Sequence, residues 1–318
     1  MIQKITGIHH VTALASDAQK NLDFYAGILG LRMVKKTINF DAPDVYHLYY
    51  GNENGDPGTI MTFFPFPGIR PGRKGTGQLS VTSFSIPMDS LDYWIERLKT
   101  FKISTTTPTQ RFDDELVVYF QDFDGLGLEL VANQKDKRNG FSYGQIPVAH
   151  AIKGFYGVTL MQDSHQRTAA MLNQLLDHQP IAEKGNRFRF SPSGKPGDLV
   201  DILQVPGGER GLGGGGTVHH LAFATANDDT QLEVRDRLTD NGVDVTQVLD
   251  RQYFHSIYFR EPGGVLFEVA TNPPGFAIDE PLEHLGEAIK LPPWQESNRI
   301  NIEAGLVDIT LNADKFRD

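Results

Sequence analysis

The chain has 318 residues, no cysteine, and 30 Lys and Arg against 40 Asp and Glu, a formal net charge of −10. A chain of that length outgrows one compact core and predicts two domains or several small repeated units, while an acidic balance without a basic cluster excludes nucleic acid and acidic membrane surfaces as partners. The missing cysteine excludes disulfides, thiolate metal sites and a cysteine nucleophile, so any metal must sit on nitrogen and oxygen ligands, and it fits a reducing compartment.

The opening MIQKITGIHH lacks the apolar stretch of a signal peptide and runs straight into a strand pattern. No later segment approaches the roughly 18 to 20 apolar residues that span a bilayer, so a cytoplasmic protein with a small-molecule ligand is expected. The first unit, 1–66, reads as the strand IHHVTALA, an amphipathic helix over 18–29 with Leu22, Tyr25 and Leu29 on one stripe, and the extended segments LRMVKKTIN, VYHLYYG and GTIMTFFPF. A second unit, 78–133, repeats the order with LSVTSFSIP, a helix over 91–98 and the closing ELVVYFQDFDGLGLELVAN. The third, 150–206, has GFYGVTLMQ, a helix over 166–176, RFRFSP and DLVDILQVP. The fourth, 217–272, has TVHHLAFAT, a helix over 232–238, VTQVLD, HSIYFREP and GGVLFEVATN. The last stretch, 273–318, reads as a covering segment over a pocket mouth.

Four copies of one βαβββ unit are therefore expected. Matching Phe84 to Phe223 places Val81 at the position of His220, and 48 residues then separate Val81 from Glu129 and His220 from Glu268 alike. A unit of about 55 residues cannot cover both faces of its own sheet, so the prediction is an α+β fold in which the modules pair into two barrel-like open sheets with helices outside. Gly211 to Gly216, GLGGGG, satisfies G-x-G-x-x-G. It leads into a strand, however, whereas a dinucleotide site needs a strand before it and a helix after it. It is read as a flexible lead-in to the fourth unit.

The pair His9-His10 recurs as His219-His220 on the equivalent strand. Adjacent strand residues point to opposite faces, so one histidine of each pair is expected to reach a given cup. Ile8, His10 and Thr12 share one face, and His9, Val11 and Ala13 the other; both mix polar and apolar groups, and alternation leaves the choice open. Glu268 lies in the apolar strand VLFEVAT, where its charge must be paired, protonated or metal-bound. Glu129 has an equivalent setting, but the second unit offers Ser80 and Val81, and the third Tyr156 and Gly157, where units one and four carry histidines. If units one and four form one cup, it holds two imidazoles and a carboxylate on three strands. That is the facial set that leaves open positions and suits non-haem Fe(II) handling O2. Units two and three would form a companion cup with a structural role, in which Glu129 is a hydrogen-bonded core acid or a remnant of duplication. His47, His150, His165, His178 and His284 read as ordinary packing or edge residues.

The opening HHVTALASDAQKNLDFYAGILGLRMV, the four βαβββ units and the closing PGGVLFEVATN resemble the vicinal oxygen chelate superfamily, which includes glyoxalase I, extradiol dioxygenases and bleomycin-resistance proteins, over residues 1 to about 275. The doubled histidines, with YHLYYG and SIYFREPGGVLFE, resemble more narrowly the ring-cleaving dioxygenases that act on hydroquinones. The resemblance implies that the second histidine of each pair is the ligand, so that His10, His220 and Glu268 hold Fe2+, with Mn2+ or another divalent ion as the alternative occupant. Catechol-cleaving members take a ligand from the third unit, where this chain has Gly157, and this favours the hydroquinone branch. The resemblance also implies pocket roles for Arg251 and Tyr258, the latter depending on hairpin register. Thr12 shares a face with His10, while His9 and His219 either orient the ligands, shuttle protons or simply pack; His255 is a further candidate nearby. The expected activity is an oxidoreductase inserting O2 into a hydroquinone-type or catechol-type ring, with a small aromatic substrate and O2 as partners and homo-oligomerisation left open. Its competitors are a glyoxalase I-like isomerase using Ni or Zn and a non-catalytic binder of an aromatic drug or quinone.

Overall fold

A computed structural model describes residues 3–112, 114–142 and 144–317. The first two residues of the first expected unit and the last of the tail lie outside them. Unit one consists of β1 (Gly7–Ala15), the short helix α1 (Ala18–Leu22), a wider π-type continuation (Asp23–Ile28), β2 (Arg32–Asn39), β3 (Ala42–Gly51) and β4 (Ile60–Pro65). Asp17 starts its helix by accepting the Lys20 backbone N–H at 2.9 Å. Unit two follows as β5 (Gln78–Ile86), α2 (Leu91–Thr100), β6 (Thr109–Arg111), β7 (Glu115–Gln121) and β8 (Gly127–Asn133). Unit three is β9 (Phe155–Gln162), α3 (Gln166–Leu175), β10 (Gln179–Lys184), β11 (Arg187–Ser191) and β12 (Leu199–Gln204). Unit four is β13 (Thr217–Thr225), α4 (Asp228–Asp240), β14 (Leu249–Asp250), β15 (Phe254–Arg260) and β16 (Leu266–Pro274).

The differences from expectation lie at sheet edges. TQR and QPIAEK form β6 and β10, and VTQVLD shrinks to the two residues of β14. These segments are mostly exposed, so they bury no apolar face whose period a sequence could show.

One sheet has the order β14-β15-β16-β13-β1-β4-β3-β2 and the other β10-β11-β12-β9-β5-β8-β7-β6. Units one and four therefore share one curled sheet and units two and three the other, as expected. In each sheet the leading strands of the two units run antiparallel at the centre, β1 on β13 and β5 on β9. The helices bury Leu22, Trp94, Leu98, Leu172, Val234 and Leu238 with Phe84, Leu130, Phe223 and Val269 in one continuous apolar core, which leaves the opposite face of each sheet free for polar groups. Registers also match: Glu129 pairs with Ser83 and Tyr119, and Glu268 with Ala222 and Tyr258, so the two glutamates are equivalent.

GLGGGG is packed rather than flexible. It runs beside 70–76 through bridges Pro71 to Gly215, Arg73 to Leu212 and Thr76 to Arg210. A side chain at Gly214 would collide with the Arg70 carbonyl oxygen and one at Gly216, whose φ is +77°, with that of Asp124. Here glycine serves close backbone approach. Among the described residues no helix is long and apolar enough to cross a membrane.

Candidate metal centre

Each histidine pair sits at a β-bulge, and this corrects the expectation of strict alternation. In the β1–β13 register, Ile8 faces Phe223 and His10 faces Ala222, leaving His9 extra; Thr12 faces His220 and Ala13 faces Val218, leaving His219 extra. The other sheet skips Ser80 and Tyr156 in the same places. The bulge therefore belongs to the fold, and what differs between units is the residue placed there. A bulge re-aims neighbouring side chains. His9 and His10 consequently approach the same Phe254 ring, with centroids at 5.0 and 5.1 Å. Their Nδ1 atoms stand 2.9 Å apart, as those of His219 and His220 do at 2.8 Å.

With Nδ1 turned to its neighbour, each second histidine presents Nε2 to the other: His10 Nε2 and His220 Nε2 lie 3.1 Å apart. Glu268 Oε2 completes a triangle at 3.4 Å from His10 and 3.0 Å from His220. All three residues are buried, and among the described residues no other three His, Cys, Asp or Glu converge in this way. Edges of about 3 Å are those of three adjacent ligands around an ion at about 2.0 to 2.2 Å. Ser256 donates to Glu268 Oε1 at 2.5 Å, leaving Oε2 buried without a hydrogen-bond partner. A stranded carboxylate oxygen aimed at two imidazole nitrogens fits a divalent cation.

Burial alone would raise the Glu268 carboxyl, but the two imidazoles facing it hold it well below the ordinary range. Burial lowers His220 against the pull of Glu268. Burial, and then the adjoining histidine, push His9 down to about 3 and His219 to about 4. Both stay neutral at pH 7, so each can offer an Nδ1 lone pair to an Nδ1–H of His10 or His220.

The triangle opens on a cavity of about 200 Å³. Leu14, Phe40, Phe64, Phe66 and Phe254 supply apolar wall, and Asn39, Asp41, His47, Tyr49, Arg251 and Tyr258 supply polar groups. This is below the roughly 300 Å³ of drug-sized sites and suits a single ring. Tyr258 faces Glu268 directly in the β15–β16 register, which answers the hairpin question. Arg251 donates from Nε to its phenol oxygen at 3.2 Å. Thr12 contacts Thr62 at 2.9 Å, which meets His47 Nε2 at 2.7 Å, whose Nδ1 meets the Tyr49 hydroxyl at 2.8 Å.

His47 is therefore a site residue that sequence reasoning set aside as packing. The available signal was YHLYYG: His47 and Tyr49 share a face, two residues apart, on a strand of the histidine-bearing unit. Ser256 was missed as well. Of the others, His150 stacks on Tyr93, His165 on Phe188, His178 bonds the Leu176 carbonyl and His284 pairs with Glu287, none of them at the cavity. His255 bonds Asp228 at 2.7 Å and also lies off the cavity. The tail contributes none of the lining residues. It runs along unit one instead, bridging Lys36 through Ile289 and taking the Tyr46 hydroxyl on the Val307 carbonyl, and reaches the rim where Trp294 packs on Phe40.

The companion cup holds charges that cancel one another. Glu129 accepts from Ser83 and from Arg111 at 2.7 Å, Asp201 accepts from Arg187 at 2.9 Å and from Arg189 at 2.6 Å, and Glu115 pairs with Arg111 and Arg189. Three guanidinium groups answer three carboxylates there.

The model of the Glyoxalase/Bleomycin resistance protein/Dioxygenase superfamily matches residues 7–130 and 137–269. The chain is 44% identical over 307 residues, 96% of its own length and 97% of the other, to the Bacillus subtilis protein named "Putative ring-cleaving dioxygenase MhqO". It is 32% identical to the chlorohydroquinone/hydroquinone 1,2-dioxygenase of Sphingobium indicum, over 92% of this chain and 94% of that one. A crystal structure of a B. subtilis protein described as a dioxygenase on the same provisional footing superposes with a TM-score of 0.92 at 44% identity, covering 97% of this chain and 98% of that one.

Proposed function

The chain belongs to the glyoxalase/bleomycin resistance protein/dioxygenase superfamily, and on that premise we propose that it is an Fe(II)-dependent dioxygenase that opens a hydroquinone-type aromatic ring. The observation that carries this reading is the buried His10, His220 and Glu268 triangle, with one carboxylate oxygen left without a partner, at the end of a ring-sized cavity. Relatives of this chain over nearly its whole length carry ring-cleaving names, one of them with hydroquinone as the substrate.

Fe(II) held by these three residues would supply a Lewis acid and a path for electrons between the ring and O2. The chain's own groups do the rest. One carboxylate against a divalent ion leaves room for one anionic substrate oxygen, favouring loss of that hydroxyl's proton. His9 and His219 accept the Nδ1–H of His10 and His220, which sets each ligand's tautomer and direction, and Ser256 fixes the other oxygen of Glu268. Burial and the nearby Glu268 raise the Tyr258 phenol, which stays protonated. Because Arg251 donates to the Tyr258 oxygen, the phenol hydrogen is free to turn toward a substrate oxygen. Phe64, Phe66, Phe254 and Leu14 hold the ring and exclude water.

The test is to load the metal-free protein with Fe(II) under argon, add hydroquinone or methylhydroquinone, admit air, and follow O2 together with the ring-opened chromophore. One O2 per ring is expected, with Mn(II) and other divalent ions as parallel arms. No O2 uptake with any hydroquinone or catechol, alongside Ni(II)-dependent turnover of the methylglyoxal–glutathione adduct, would overturn this reading in favour of the isomerase.

A further inference from the structure

Arg251 and Phe254 both line the cavity, and Arg251 does so from the tight turn between β14 and β15 that Phe254, the first residue of β15, closes. Within it the Tyr253 N–H donates to the Arg251 carbonyl at 2.8 Å and the Arg251 N–H to the Phe254 carbonyl at 3.0 Å. Gln252, between them, has a φ of +67°, a left-handed conformation that is unfavourable for a residue with a side chain. Such a turn persists only if something outside it holds it.

The holder is the tail. The Tyr253 hydroxyl donates to Asp279 Oδ2 at 3.0 Å, and Lys35 of β2, fully buried, donates to Asp279 Oδ1 at 2.6 Å and to Glu280 Oε2 at 2.5 Å. The Lys35 ammonium also lies 5.0 Å from the centre of the Tyr253 ring, and Phe276 packs on the same ring at 5.1 Å. The Gly275 N–H donates to the Tyr253 carbonyl at 2.9 Å. Tyr253 is thus fastened at its ring, hydroxyl and carbonyl by residues of the tail and β2, none of which lines the cavity.

We propose that Tyr253 and Asp279 are positioning residues of the substrate pocket: the tail sets the direction of Arg251 by pinning the turn that carries it. This rests on the aromatic-substrate reading above, and explains how a segment that adds nothing to the pocket wall still serves it. A buried ammonium shared by two carboxylates makes the latch rigid, because neither partner can leave without stranding a charge.

Two measurements on the Fe(II)-loaded protein, kept without oxygen, test the proposal. Hydrogen exchange of the peptide covering 250–254 reports the latch itself. Tyr253→Phe and, separately, Asp279→Asn are each expected to speed its exchange about tenfold with iron content unchanged; exchange equal to wild type in both variants overturns the latch. Affinity for 4-nitrophenol, a coloured single-ring phenol, reports the consequence. Each variant is expected to bind it about tenfold more weakly, but to cause no further loss when Arg251 is already alanine. Losses that multiply in the double variants would show that Tyr253 does not act through Arg251 and overturn the proposal. Faster exchange together with a wild-type protein that neither binds the phenol nor consumes hydroquinone supports the latch while rejecting the aromatic-substrate reading.

Discussion

At the residue scale, Glu129 and Glu268 occupy equivalent positions with different surroundings. Each takes a serine hydroxyl, Ser83 for one and Ser256 for the other. The next partner separates them: a guanidinium of Arg111 at 2.7 Å answers Glu129, while Glu268 Oε2 faces only imidazole nitrogens, His10 Nε2 at 3.4 Å and His220 Nε2 at 3.0 Å. Glu268→Gln is therefore expected to weaken Fe(II) binding more than 100-fold, since it removes a charged ligand. Ser256→Ala should weaken it about 10-fold to 100-fold, the usual effect of losing a group that orients a ligand. Glu129→Gln should leave iron affinity within twofold, and equal loss in the two glutamine variants, read by anaerobic iron titration, would mean that the cups have been assigned wrongly. Both glutamates were legible in the sequence from their apolar strands and matching spacing. Arg111 was not, because it lies on the exposed edge strand β6, which has no apolar pattern to mark it.

At the scale of elements, the bulge in each leading strand sets the two rings of a doubled histidine Nδ1 to Nδ1, which on the proposed reading makes one a ligand and the other its support. Alternation predicted that one histidine of each pair would reach the cup; the bulge sets the other beside it, His9 against His10 at 2.9 Å and His219 against His220 at 2.8 Å, Nδ1 to Nδ1. The crossing of 70–76 with GLGGGG is a second case. Gly216→Ala must adopt a φ of +77° and collide with the Asp124 carbonyl, so a loss of at least about 1 to 3 kcal/mol is expected. Gly213, with nothing within 4 Å of an added Cβ and no positive φ, should accept alanine within about 0.5 kcal/mol. Urea melts of the two variants check this, and equal stability would show that the crossing tolerates a side chain. No sequence pattern distinguishes these neighbouring glycines, because the contact that does so comes from Asp124, distant in the chain.

At the scale of the whole molecule, two sheets of the same topology divide the work. The sheet of units one and four keeps a cavity with an incomplete set of polar contacts, and the sheet of units two and three fills the equivalent space with balanced ion pairs. Arg189 joins Asp201 and Glu115, all three at most 5% exposed. Arg189→Gln should therefore cost about 3 kcal/mol by stranding buried carboxylates, read as a lower urea midpoint, with iron content and O2 uptake per folded molecule unchanged. A loss of iron on this substitution would show that the two cups are not independent.

The repeat, the place of Glu268 and the two histidine pairs were legible in the sequence itself, because duplication leaves spacing and apolar period on the page and only units one and four carry imidazoles on their leading strands; alternation left open which histidine of each pair serves, and the family resemblance pointed to His10 and His220. Other features were decided by tertiary structure alone. These are the bulges that bring His9 and His219 to the ligands, the place of His47 and Ser256 beside them, the packed glycines, and the tail's grip on Tyr253. Each depends on which backbone atoms lie opposite which side chains across distant strands, and that relation has no period along the chain.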